Sequence, residues 1–152
     1  MQELCLPSGY VAPRHEPHCG VLSVAICADI PFEEAFAMIK ARAGYNGNWR
    51  GRTYNGDRIG ALRALGVPHK ETHFAPAHAL ARRGWPEGWS RRCTLATFAK
   101  RFAKPGVTYM TSVRGHTFVL RNGLIADQAG VRPVTGSKLA RCAVKHTVEI
   151  LR

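Results

Sequence analysis

The apolar residues fall into two regimes, with a break near residue 105. Between Gly20 and Ala28 they crowd together: Val21, Leu22, Val24, Ala25 and Ile26 leave so few polar positions that a buried helix and a buried strand fit equally well. From Pro31 the spacing opens. Pro31-Phe32-Glu33-Glu34 puts proline and acids into a first helical turn, Ala35, Phe36, Met38 and Ile39 follow at helical intervals, and Gly44 supplies a stop. Asp57 is expected to cap a short helix over DRIGALRALG that ends at Gly66, and Thr94 to cap another over TLATFAKRFAK, ended by Pro105-Gly106. Beyond that point Val107 to Val113, Gly115 to Arg121, Leu124 to Asp127 and Arg141 to Leu151 read as strands, and residues 67–74 have room for one more. Asn122-Gly123 between two such runs is the strongest hairpin signal in the chain.

Helices first and strands after, without strand-helix-strand alternation, predict an α+β domain with N-terminal helices packed on one side of a C-terminal antiparallel sheet. The 152 residues suit a single domain over 1–152, with 1–17, containing Pro7, Gly9, Pro13 and Pro17, as an irregular lead-in. Segments 44–56 and 82–93 read as loops.

Charge and cysteine content add to this picture. The 22 Lys and Arg against 10 Asp and Glu give a net charge of +12, which raises the local concentration of polyanions without choosing among them. In the two loops Arg50, Arg52, Arg82, Arg83, Arg91 and Arg92 stand among Tyr45, Trp49, Tyr54, Trp85 and Trp89, a mixture suited to phosphates and stacked bases of single-stranded nucleic acid. Five irregularly spaced cysteines, at 5, 19, 27, 93 and 142, and an N-terminus without the regions of a signal peptide predict free thiols in a reducing cytoplasm. No apolar stretch approaches the ~18 residues of a membrane-spanning helix, so no membrane partner is expected.

The candidate chemistry lies in HEPHCGVLSVAICA, residues 15–28. A cysteine nucleophile needs a lowered pKa, a base within reach and donors for a developing oxyanion. If Cys19 opens a helix, the unpaired N–H groups and positive dipole end supply the first and the last, and Gly20 leaves the approach open. Among seven histidines, His116 begins the hairpin strand HTFVLRNGLIAD. With a two-residue loop at Asn122-Gly123, Arg121 pairs with Leu124, Leu120 with Ile125, Val119 with Ala126 and Phe118 with Asp127, so His116 and Asp127 become diagonal neighbours on one face. Asp127 is then placed to orient His116 as the third member of a triad. Cys27 lies mid-run and reads as core, and Cys5, Cys93 and Cys142 have no role assigned. His15, His18, Cys19 and Cys5 lack the paired spacing of a structural zinc site, so neither metal nor cofactor is expected.

This order of a helix-opening Cys-Gly, a strand His and an Asp on the adjacent strand resembles the papain-like cysteine peptidase superfamily. It is most similar to bacteriocin-processing, double-glycine-type peptidases and to small phage-encoded proteins of that kind. The resemblance is carried by His18-Cys19-Gly20-Val21, by Ile30-Pro31-Phe32-Glu33-Glu34-Ala35, by Arg52-Thr53 with Ala61 to Gly66, and by Arg114-Gly115-His116-Thr117 through Asn122 to Asp127. It implies a papain-like fold and a peptidase or amidase using Cys19, His116 and Asp127 through a thioester. Those peptidases usually carry Asp before the cysteine and Gln about six residues upstream as oxyanion donor, where this chain has His18 and Pro13. Expected donors are therefore the Gly20 backbone and the side chains of Arg14, His15 or His18. Expected partners are a peptide, protein or amide substrate. On the alternative reading, a catalytically silent basic protein on the same fold contacts nucleic acid or virion components.

Overall fold

The computed structural model describes residues 3–74 and 93–152. Within them the chain runs through helices α1 (Cys19–Ala28), α2 (Phe32–Ala43) and α3 (Asn55–Ala64), strand β1 (His69–His73), helix α4 (Leu95–Arg101), strands β2 (Tyr109–Val113), β3 (His116–Arg121), β4 (Leu124–Asp127) and β5 (Gly130–Pro133), a 3₁₀ turn over Lys138–Arg141, and strand β6 (His146–Ile150). All strands pair antiparallel in one sheet of order β1-β6-β2-β3-β4-β5, so the domain is α+β.

The dense apolar run is a helix. α1 packs against α2 and α3 and against β2, β3 and β4, so nearly every side of it is buried and no amphipathic stripe is left for periodicity to detect. Val21, Leu22, Val24 and Ala25 are fully buried, a contribution of roughly 1.5–3 kcal/mol for each large side chain. α2 carries Glu33 and Glu34 in its first turn and stops where Gly44 takes φ +72°, a left-handed conformation that glycine adopts at little cost. α3 begins two residues earlier than expected. Asp57 is not its cap but lies inside the first turn, where its carboxylate accepts from the Tyr54 backbone N–H at 2.9 Å. Thr94 caps α4 by accepting from the Thr97 N–H.

Alternation along the strands produces two cores. Met110, Val119, Ala126, Val148 and Ile150 face α1–α3, while Tyr109, Phe118, Leu120 and Ile125 face the other way and bury Leu95 and Phe98 of α4. Helices on one side therefore describes α1–α3 only. The opposite face is equally apolar and needs its own cover, which α4 supplies, with the Phe98 ring edge-on to Tyr109 at 5.3 Å.

The hairpin register agrees with expectation: Arg121 opposes Leu124, Leu120 opposes Ile125 and Val119 opposes Ala126. Asn122 and Gly123 both take positive φ, the requirement of a type I′ turn. β5 was not anticipated. It pairs with β4 and places Arg132 beside Asp127. The lead-in is tied to the β4–β5 turn by Arg14 N–H to Gln128 O at 2.9 Å and Gln128 Nε2 to Glu16 O at 2.8 Å, which holds the segment before Cys19 close to Asp127.

Candidate active site

Cys19 is the first residue of α1, and His18 caps the helix without a side-chain hydrogen bond. Among the described residues, the N–H groups of Cys19, Gly20 and Val21 therefore find no side-chain cap at the positive end of a well-packed helix. Opposite them, the β2–β3 turn uses Gly115 at φ +75° and starts β3 at His116. The Cys19 sulfur shares one cleft with the His116 ring and Thr117, and both the ring and the Thr117 backbone N–H act to stabilise its thiolate. The His116 Nε2 donates to Asp127 Oδ2 at 2.7 Å, which leaves Nδ1 for the thiol. Asp127 is 2% exposed and almost immobilised: Arg132 reaches both of its oxygens, at 2.6 and 3.1 Å, and the Ala129 N–H donates to Oδ1 at 2.9 Å.

Electrostatics follows from these contacts. Burial alone would raise the Cys19 pKa, but the His116 ring, the Thr117 N–H and the Arg58 charge bring it below the ordinary thiol value. Burial alone would lower the His116 pKa, yet hydrogen bonds and charge from Asp127 and Cys19 outweigh it and raise it to about 9. Asp127, although buried, is held well below the carboxylate range by His116, Arg132 and the Ala129 N–H. All three shifts favour a thiolate, an imidazolium and a carboxylate in a row.

Three of the expected oxyanion donors are elsewhere. The His18 ring bonds the Tyr10 hydroxyl through Nε2 at 2.8 Å and packs against Phe32 at 4.7 Å, so it belongs to an aromatic cluster under the lead-in. Arg14 lies over the Tyr10 and Phe32 rings and pairs with Glu16 at 3.6 Å. Exposed His15 does not line the cleft beside Cys19. Gly20 stays at the site through its backbone, but its small size serves a different purpose: a Cβ there would fall 2.0 Å from Thr53 Oγ1 and 3.1 Å from Arg58 Cδ. Glycine admits these two side chains instead of leaving an open approach.

Arg58 is the functional candidate that sequence reasoning missed. It is 6% exposed, donates to Thr53 O and Oγ1 at 3.2 and 2.8 Å, reaches Asn55 Oδ1, and keeps a buried Nε without a partner among the described residues. Burial lowers its pKa, but a guanidinium remains charged, and this charge supports the Cys19 thiolate. Only the Arg52-Thr53 pair, noted for the resemblance, pointed to this loop.

Cys19, His116, Thr117 and Arg58 line a cleft of about 470 Å³ whose walls also include Arg52, Lys145, His73 and His146. A larger hollow of about 890 Å³, between the lead-in and the far end of α1, has no histidine among its described lining residues. Of the polyanion candidates, Arg50 and Arg52 are exposed, while Arg82, Arg83, Arg91 and Arg92 lie outside the described residues. The neighbouring rings fold inward: Trp49 stacks on Tyr45 at 4.6 Å, packs on Phe36 at 4.9 Å and donates Nε1–H to Arg52 O. Tyr54 remains exposed.

No helix among the described residues is long and apolar enough to cross a membrane. Comparison of the chain with protein-family models, with curated proteins and with solved structures finds no match.

Proposed function

We propose that this chain is a papain-like, cysteine-dependent hydrolase of peptide or amide bonds. The observation that carries the proposal is the placement of His116, which hydrogen-bonds a buried, doubly anchored carboxylate and shares a cleft with the helix-opening Cys19 thiol, whose pKa it lowers. In the reaction the Cys19 thiolate attacks the carbonyl carbon, and the oxyanion meets the first-turn N–H groups of α1 and the nearby Arg58 charge. The imidazolium gives its Nδ1 proton to the leaving nitrogen, the C–N bond breaks and a thioester remains. His116 Nδ1 then takes a proton from water, hydroxide adds to the thioester, and the thiolate leaves as the carboxylic product is released. Asp127 keeps the ring in the tautomer that this sequence requires. The basic cleft walls, Arg52 and Lys145, favour substrates with acidic groups near the scissile bond.

Site-resolved alkylation by iodoacetamide near pH 6 tests the proposal. Cys19 is expected to react ahead of half-buried Cys142. His116→Ala is expected to slow Cys19 by roughly tenfold or more, since a buried thiol that loses its imidazolium partner loses most of its thiolate there, while the higher nucleophilicity of the less acidic thiol offsets part of the loss. Equal rates for Cys19 and Cys142, unchanged by His116→Ala, would remove the basis for hydrolysis. The alternative, a silent basic protein binding polyanions, is favoured by exposed Arg50 and Arg52. It requires single-strand nucleic-acid affinity that falls steeply with salt.

A further inference from the structure

A second cluster on the same cleft is not used by the mechanism above. In the β1–β6 ladder His73 directly opposes His146, and Glu71 lies two residues before His73 on the same face. Glu71 Oε2 is 3.2 Å from His73 Nε2 and 3.0 Å from His146 Nε2, and all three ligating atoms lie within 4.8 Å of one another. We infer that Glu71, His73 and His146 form a binding site for a divalent transition cation of the zinc class, with its open coordination position facing the cleft that holds Cys19.

The donor set comes first. Two imidazoles and one carboxylate, with a fourth position left open, match the ligands zinc takes in sites that admit water or a substrate group. Two nitrogen donors disfavour calcium and magnesium, which take oxygen. Distance agrees with donor type. Metal–ligand bonds of roughly 2.0–2.1 Å at tetrahedral angles separate neighbouring ligand atoms by about 3.3 Å. The two nitrogen–oxygen separations are already close to that edge, so only the nitrogen–nitrogen edge has to close. Rigidity comes from the backbone, because a cross-strand pair and an i, i+2 neighbour are held in place by the ladder, and His146 is 3% exposed. The Glu71 carboxylate offsets the charge of the cation beside Lys145. On binding, metal bonds from the two Nε2 atoms replace their hydrogen bonds to Glu71, and any proton those nitrogens carry is displaced. His73 and His146 both line the Cys19 cleft, so a cation there offers its open position to a ligand in the cleft.

The site stands whether or not Cys19 is a nucleophile, and the test separates the two. The full chain carrying Cys19→Ser is titrated with Co²⁺ and followed by visible absorption, then with Zn²⁺ by calorimetry. The expected result is one equivalent bound with a nitrogen and oxygen ligand spectrum free of thiolate charge-transfer bands. His73→Asn and Glu71→Gln replace side chains that are 26% and 30% exposed, so both variants should fold. Each is expected to weaken Zn²⁺ by at least about tenfold, since even outer partners of metal ligands cost that much. A rise in the thermal midpoint of the Cys19→Ser chain with added Zn²⁺, absent in His73→Asn, is a second readout. Lack of stoichiometric binding, binding that survives both substitutions, or a thiolate band assigning the metal to other cysteines would each overturn the site.

Discussion

Cys19 and Cys27 sit on the same helix, eight residues apart, and the fold gives them opposite chemistry. Cys19, at the first position, meets free N–H groups, the His116 ring, the Thr117 N–H and the Arg58 charge, and its pKa falls. Cys27, one residue from the other end, is 5% exposed among apolar neighbours, and burial pushes its thiol up to about 12. Both are buried to a substantial degree, so desolvation opposes the thiolate in each. What differs is the balance: donors and charge outweigh desolvation at Cys19, whereas the Arg152 charge near Cys27 does not. A cysteine in an apolar run becomes reactive through the helix end it occupies and the strand brought against that end, not through exposure alone.

The largest expected effect tests that contrast directly. At neutral pH a thiol near 12 holds about five decades less thiolate than a fully ionised one, and its higher intrinsic nucleophilicity recovers only about half of that on a logarithmic scale. Alkylation followed by peptide mass analysis should therefore find Cys19 faster than Cys27 by about 10²-fold in the folded chain, with the gap closing in denaturant. A ratio near unity under native conditions would mean that the helix does not distinguish its two thiols.

Next in size is the removal of the charge that holds His116. A depressed carboxyl contributes stability above its unfolded-state pKa of about 3.9, and the contribution is lost as pH falls further. A raised imidazole contributes fully below its unfolded-state value of about 6.5 and loses the contribution as pH rises through about 9. Both are present between about pH 4 and 6.5. Asp127→Asn should destabilise the chain by about 2–4 kcal/mol in that window, measured by urea unfolding. The difference should shrink in stronger acid and again above about pH 9, where the Arg132 pair still leaves a remainder. A pH-independent difference would mean that the Asp127 carboxylate and the His116 imidazole are not linked.

Much of this arrangement was legible in the sequence because short-range rules decide it. Asn122-Gly123 fixes the loop length, the loop length fixes the register, and the register puts His116 and Asp127 on the same face. The helix starts at Pro31 and Thr94 and the stop at Gly44 follow from equally local chemistry. The remainder depends on segments far apart in the chain. α1 could not be told from a strand because it is buried on almost every side, and Arg58 became a neighbour of Cys19 only through the packing of α3 on α1. Arg132 reaches Asp127 from a strand containing Pro133, a residue that obscures a strand pattern. Glu71 and His73 meet His146 across a strand pair with more than seventy residues between them, which no spacing rule detects. His18 and Arg14 were expected at the site on proximity in sequence, but an aromatic cluster gives each a better partner.

Gly20 gives the smallest and most specific test of why the reactive end of α1 is built as it is. An added methyl group would meet Thr53 Oγ1 at 2.0 Å and Arg58 Cδ at 3.1 Å, and both side chains are hydrogen-bonded to each other. Gly44→Ala is the useful contrast, because that position has open space around the new Cβ but a backbone at φ +72°. Overpacking of this kind costs typically about 1–3 kcal/mol, against about 1 kcal/mol for strain at the helix stop. The two variants should be close in stability and far apart in chemistry. Gly20→Ala displaces the Arg58 charge from the sulfur, so its Cys19 should need a higher pH to react with iodoacetamide, whereas Gly44→Ala should leave the alkylation profile where it is in the parent chain. If the Cys19 profile is unmoved in Gly20→Ala, Arg58 does not tune the thiol, and the lowered pKa belongs to His116, Thr117 and the helix end alone.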